Sequence, residues 1–235
     1  MSSLKIEELF YELASESRLG ILKELKEKDW KMNDLARKLD ITTTETFRQL
    51  QRLSEASLAK KQPNGKYTIT EYGKLLLEFM SPLKFLLKNN EYFLTHDIRC
   101  LPHKLLMRID TLSKARLIEG MVESTTKIST MIGDAKEYMW GISPEPLAQS
   151  VEAISKAVPQ KAEYRIMSPQ PHSKLPNLEN RTLPEPPLIM ALTEKQAAVC
   201  FRLIGGKVDY ASFFGEDPAF HEWTKELFLY YWNKE

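Results

Sequence analysis

The chain has 235 residues, 43% hydrophobic and 10% aromatic, with 33 basic and 32 acidic side chains and a net charge of +1. That length suits two modest domains, and the apolar content excludes a disordered chain. Two cysteines without CxxC spacing exclude a disulfide scaffold, the absence of a long apolar run excludes a membrane span, and the start MSSLKIEELF lacks a signal-peptide core, so a cytoplasmic setting is expected.

Leu4 to Ala14 has helical spacing, with Ile6, Leu9, Phe10 and Leu13 on one face. Ser15 or Ser17 can cap a second helix whose apolar set is Leu19, Ile21, Leu22 and Leu25. Lys31 to Leu39 predicts a third. A threonine run then offers a cap for a fourth helix over Thr43 to Ala56, with Phe47, Leu50 and Leu53 expected to face inward. Ala59 to Gln62 and Lys66 to Thr70 flank Pro63-Asn64-Gly65, a strong hairpin signal.

Helices followed by such a hairpin describe a winged helix-turn-helix. The pair LARKLDI and TTTETFRQLQRL supplies the helix-turn-helix, and the second helix is placed to enter a major groove of double-stranded DNA. Its outer face is expected to carry Thr43, Thr44, Glu45, Arg48, Gln49 and Arg52. Arg48 and Gln49 suit bidentate contacts to guanine and adenine edges, while Arg52 suits a phosphate. Lys60, Lys61, Asn64 and Lys66 on the wing would track the backbone. Between Lys31 and Tyr67 eight basic residues stand against four acidic ones, an excess that fits phosphates or a merely solvated face.

Thr70 to about Asn89 predicts a long helix, bent at Pro82, whose apolar residues exceed one face. A stripe of Leu76, Met80, Leu83 and Leu87 is the expected seam of a homodimer. Further on, Lys136 to Ile142 and Ala162 to Met167 predict strands around a helix over Leu147 to Val158, a parallel βαβ unit. Residues 170 to 187 hold five prolines and are expected to be a loop or lid. Strands over Leu188 to Thr193, Ala197 to Leu203 and Val208 to Tyr210 and a helix over Pro218 to Trp232 complete the chain. The fold class is therefore α+β. It comprises a winged helix-turn-helix (1–70), a connecting or dimerisation helix (71–95), and a C-terminal α/β domain with a partly parallel sheet (96–235). Ligands of open α/β sheets sit beyond the carboxyl ends of parallel strands, which here points to Gly141, Ser143, Arg165 and Ser168 as a seat for a small-molecule effector. A domain that only dimerises or binds another protein is the alternative.

Three segments, ETFRQLQRLSEASLAKK, EYFLTHDIRCLPHKLLMRIDTL and VDYASFFGEDPAFHEWTKELFLYYW, carry a resemblance over nearly the whole chain. The chain resembles the archaeal winged-helix regulators typified by the methanogenesis and filamentation regulator. That resemblance implies a transcription factor whose C-terminal domain is similar to the phospholipase-D-like fold of archaeal sugar-responsive regulators. Phospholipase D chemistry uses HxKxxxxD, and His172, Lys174 and Glu179 stand at that spacing. They lie in proline-rich sequence judged unable to hold a strand, with Glu in place of Asp and no second copy. His96, Asp97, Cys100 and His103 lack the spacing of a metal site, and neither Cys100 nor Cys200 has the basic surroundings of a redox sensor. The expectation is a regulator that is no enzyme and needs no metal or cofactor. A winged helix used only for docking to protein is the alternative.

Overall fold

The computed structural model describes residues 5–144, 162–170 and 177–234. Its first helix, α1 (Ile6–Leu13), buries only Leu9 and Leu13; Ile6 and Phe10, expected on the same face, are exposed. Ser15 caps α2 (Glu16–Glu27), its hydroxyl accepting from the Arg18 amide at 3.4 Å. Ile21, Leu22 and Leu25 then form the centre of a core that also takes in Leu35, Leu50, Leu53, Leu58 and Leu77. Helix α3 (Met32–Leu39) ends at Asp40, whose left-handed φ of 53° makes the tight turn into α4 (Thr43–Glu55). Asp tolerates that conformation better than most residues.

The wing is β1 (Ala59–Lys61) paired antiparallel with β2 (Tyr67–Ile69), in the register Lys60 to Thr68. Its tip turns at Gly65, with φ 78°, and the Asn64 side-chain oxygen accepts from the Lys66 amide at 2.9 Å. Trp30 adds a bridge to Tyr67 on the other side of β2. Helix α5 (Glu71–Lys88) starts under the wing. The Thr70 hydroxyl donates to the Ser57 carbonyl at 2.7 Å and accepts from the Gly73 amide at 2.9 Å. A Cβ on Gly73 would lie 2.4 Å from the Leu58 carbonyl oxygen, so only glycine lets the helix come this close. This is the winged helix-turn-helix expected.

The chain divides into two compact units, the first ending at Ser81 and the second beginning at Pro82, within α5. After the last turns of α5, the second unit continues with α6 (Asn90–Thr95), β3 (His96–Asp97), α7 (His103–Leu106) and a 3-10 helix (Ile109–Lys114). It continues through β4 (Arg116–Ile118), α8 (Met121–Gly133), β5 (Tyr138–Ile142), β6 (Glu163–Ser168) and β7 (Leu178–Thr182). β8 (Leu188–Thr193), β9 (Ala197–Leu203), β10 (Ser212–Gly215) and α9 (Pro218–Trp232) complete it. Among the described residues the sheet runs β4-β10-β9-β8-β5-β6-β7, with β3 also on β9. β5, β6 and β7 are parallel to one another and the remaining pairs are antiparallel. The fold is α+β with a mixed, partly parallel sheet.

Every residue of β8 is buried, as a central strand covered on both faces requires. On one face lies the aromatic side of α9, with Phe220, Trp223, Leu227 and Phe228 fully enclosed. On the other lie Ile128, Met131 and Ile132 of α8 over Met139, Tyr164 and Ile166. Asp217 caps α9 by accepting from the Ala219 amide at 2.9 Å, and Pro218 occupies its first turn, where a missing N–H costs nothing.

Two expectations are corrected here. The segment 170–187 is not a loop throughout, because β7 occupies Leu178–Thr182, a proline-free window between Pro176 and Pro184. The strand expected over Val208 to Tyr210 lies further on. Tyr210 takes a left-handed φ of 65°, Asp209 turns its side chain back to the Ala211 amide at 3.0 Å, and β10 starts only at Ser212. The helix expected over Leu147 to Val158 lies outside the described residues.

Candidate nucleic-acid interface

The orientation of α4 is set from within. Arg18, buried on α2, donates from Nη1 to the Gln49 side-chain oxygen at 2.9 Å, from Nη2 to the Tyr11 carbonyl at 2.7 Å, and from Nε to the Glu12 carbonyl at 2.6 Å. Its Nε also lies 3.2 Å from the Glu12 carboxylate. Gln49 passes the chain on by donating to Glu45. These bonds turn Gln49 inward, so the base-reading role expected for it is corrected: its hydrogen-bonding groups are spent on Arg18 and Glu45. Phe47, expected inward, is 53% exposed, and the fully buried Thr46 takes the inner line with Leu50 and Leu53. Arg52 pairs with Glu12 at 2.5 Å and lies over the Tyr11 ring at 5.0 Å, so the free phosphate contact expected of it is corrected to a tie between α4 and α1.

The exposed face of α4 is therefore Thr43, Thr44, Phe47, Arg48 and Gln51, closed at the last position of the helix by the exposed Glu55, to which the Gln51 amide donates at 3.0 Å. Of these, Phe47, Gln51 and Glu55 are not among the recognition residues expected from sequence. Thr42 caps the helix by accepting from the Glu45 amide at 3.1 Å. Glu45 is half-buried and lies 2.7 Å from the exposed Arg48. Its carboxyl is held below the usual range by the hydrogen bond from Gln49 and then by Arg48. On the wing Lys60, Lys61 and Asn64 are exposed and Lys66 is half-buried. A cleft of about 550 Å³ between α3, α4 and the wing is lined by Lys31, Arg37, Phe47, Lys61, Asn64 and Gly65 among others. If the wing lysines meet phosphates, replacing Lys60, Lys61 and Lys66 with Ala lowers the slope of log affinity against log salt by about 0.9 for each phosphate no longer neutralised. A salt titration that returns the wild-type slope would remove the wing from the interface.

The residues singled out in the second unit do not form one cluster. Gly141 lies within the sheet on β5, where a Cβ would meet the Met190 carbonyl of the neighbouring β8 at 3.2 Å. Ser143 and Ser168 stand at the carboxyl ends of the parallel strands. Their hydroxyls donate to the carbonyls of Pro144 at 3.0 Å and Gln170 at 2.6 Å. Arg165 sits in mid-strand, opposite Trp140 and Glu179. Its guanidinium lies 4.9 Å from the Trp140 ring and 5.6 Å from the Trp232 ring, with Nε 2.7 Å from Glu163.

Of the HxKxxxxD-like set, His172 and Lys174 lie outside the described residues. Glu179 is on β7, so the argument that this stretch holds no strand fails. His96 is buried, stacked on Tyr92 with ring centroids 3.7 Å apart, and its Nε2 lies 3.1 Å from Asp209 rather than facing Asp97. Asp97 is instead held by Arg99, which pulls its carboxyl down to about 2. Among the described residues no group of His, Cys, Asp and Glu converges to hold a metal ion. Burial pushes both thiols, Cys100 and Cys200, up to about 12. No helix among the described residues is long and apolar enough to cross a membrane.

No family model matches this chain, and no curated protein matches it. Among solved structures the chain is similar to TrmBL2, an archaeal chromatin protein whose structure shows a novel mode of DNA binding. The identity is 16% and the TM-score 0.38, over 94% of this chain and 93% of that one. It is also similar to RosA, a dimethyltransferase of 8-amino-8-demethyl-D-riboflavin from Streptomyces davawensis, at 13% identity and TM-score 0.29 over 74% and 63% of the two chains. An O-methyltransferase family protein from Burkholderia thailandensis matches at 11% identity and TM-score 0.26, over 70% and 57%. At TM-scores below 0.5 these likenesses assign no activity and no ligand. With methyltransferases among the matching chains, the expectation that the protein is no enzyme is corrected: the lack of a recognisable catalytic motif does not exclude enzymatic activity, and that exclusion is withdrawn.

Proposed function

We propose that this chain is a sequence-specific, double-stranded-DNA-binding transcription regulator of the archaeal winged-helix kind. The observation that carries the proposal is the outer face of α4, where Thr43, Thr44, Arg48 and Gln51 are exposed beside the cations of the wing. A helix seated by buried hydrogen bonds, with hydrogen-bonding side chains on its free side, suits major-groove recognition. Arg48 is the side chain fitted to a guanine edge, once it exchanges Glu45 for the base. The test is selection of a duplex from a random pool by the full chain. Arg48→Ala should then cost about 1–3 kcal/mol on the selected site and relax preference at one base pair. Wild-type discrimination in that variant would misplace the recognition helix.

The proposal includes a homodimer, because one recognition helix offers too few contacts to select a site among genomic competitors. Its support in the first unit is the exposed apolar set Tyr72, Leu75 and Phe79 of α5, and in the second unit the exposed Leu83, Leu87 and Leu94. Of the stripe foreseen from sequence, Leu76 and Met80 instead pack on the first unit's core. Isolated exposed leucines are ordinary, but apolar residues repeated at helical spacing invite a second copy. Leu83→Asp with Leu87→Asp should give a folded monomer of poor DNA affinity. Sedimentation of the wild type as a monomer at micromolar concentration would remove the dimer. The domain roles proposed are DNA binding for 1–70, connection and dimerisation for 71–95, and sensing for 96–235. The effector seat is proposed at Ser143 and Ser168, on the ground of their place at parallel strand ends. A panel of sugars that shifts the melting of the wild type, and equally that of Ser143→Ala/Ser168→Ala, would move the seat elsewhere.

A further inference from the structure

Phe47 belongs to no core cluster of the first unit, yet it is exposed in the middle of the outer face of α4. Thr43, Phe47 and Gln51 follow one another at i, i+4 and i+8 along a single ridge, with Thr44 and Arg48 beside them. Four of these five side chains can hydrogen-bond to a base edge; the central one cannot. In the major groove the base pairs present donors and acceptors throughout, with one apolar exception, the C5-methyl group of thymine. We propose that Phe47 is a specificity-determining residue that reads this methyl group, so that α4 requires a thymine near the centre of each half-site.

This deepens the DNA-binding proposal and rests on it. The surroundings of the ring favour DNA over an apolar protein partner. The cleft it lines also carries Lys31, Arg37 and Lys61. A phosphodiester backbone supplies the anions those cations need, whereas an apolar protein surface would bury them unpaired. Arg37 is partly met by Asp34 within its own helix, but Lys31 and Lys61, which line the same cleft, are exposed.

The test uses the full chain and a duplex that it enriches from a random pool. Each thymine of that duplex is replaced in turn by deoxyuridine, which removes the methyl group and leaves base pairing and the O4 acceptor intact. At one thymine per half-site the wild-type affinity should fall about fourfold, the worth of one buried methyl-sized group. Phe47→Ala should bind the thymine duplex more weakly and be indifferent to that replacement, while Phe47→Leu should keep part of the discrimination. Because the ring lies outside the core, Phe47→Ala should melt with the wild type, which separates an effect on DNA recognition from an effect on folding. A wild type indifferent to uracil at every position, or a Phe47→Ala variant that keeps the fourfold penalty, would overturn the assignment and leave DNA binding intact. Failure to enrich any duplex would overturn the DNA-binding reading and this inference with it.

Discussion

Replacing Arg18 with Ala is expected to cost the first unit about 3–5 kcal/mol of stability, the range for breaking a buried, hydrogen-bonded charge pair from one side. The side chains of Arg18 and Glu12 are 8% and 13% exposed, so solvent screens the pair little. The truncation strands three acceptors at once, the Tyr11 and Glu12 carbonyls and the Gln49 amide oxygen, and leaves the Glu12 carboxylate to Arg52 alone. Arg18→Lys should recover only part of the stability, since a single ammonium lacks the planar fork that reaches acceptors on α1 and α4 together. DNA affinity should fall in parallel, because the ties that fix the roll of α4 through Gln49 and Glu12 loosen. Chemical denaturation followed by circular dichroism gives the answer. A cost under about 1 kcal/mol would mean that Arg18 merely fills space.

Trp223→Ala should be the most damaging change of its size in the second unit, at about 3–5 kcal/mol. Trp223 is fully buried on α9, and its indole N–H donates to the Leu105 carbonyl at 3.1 Å. Truncation opens a cavity between α9 and the sheet and leaves that carbonyl without its donor. Trp223→Phe separates the two effects, retaining most of the ring volume but not the hydrogen bond, which is worth about 1–3 kcal/mol when its partner stays buried. If both variants are destabilised equally, packing contributes nothing beyond the hydrogen bond and the account of α9 is wrong. Near-ultraviolet circular dichroism would report the repacking of Phe228 and Trp232 around the gap.

The winged helix could be read in the sequence because its signals are local. Thr42 before a helical period, Asn64-Gly65 between short strands and leucines at i, i+3 and i+4 each act within a few residues. The phase of α4 was harder. Leu50 has both Thr46 and Phe47 one turn before it, and hydrophobicity favoured Phe47 as the inner residue. The structure chose Thr46, whose hydroxyl donates back to the Thr42 carbonyl at 2.9 Å and so can be buried at little cost. Nothing local announces that Gln49 is claimed by Arg18, which lies 31 residues away. In the second unit β7 was hidden by prolines that flank the strand without entering it. Helix α8 was hidden by its threonines and serines, although Ile128, Met131 and Ile132 keep a helical spacing. The sheet order could not be read locally, because strands adjacent in space such as β4 and β10 are separated by roughly a hundred residues.

Gly73 has a use in tracing ancestry. Where most positions have drifted beyond recognition, the marks that survive are those where physics admits one residue type. A side chain at this place would intrude on the Leu58 carbonyl, so a lineage retaining this junction must retain the glycine. The Thr70 hydroxyl that binds the Gly73 amide from three residues back restricts a second position almost as tightly. A threonine or serine followed three places later by glycine, directly after the wing's last strand, is thus a compact signature for finding distant kin of this fold in uncharacterised genomes.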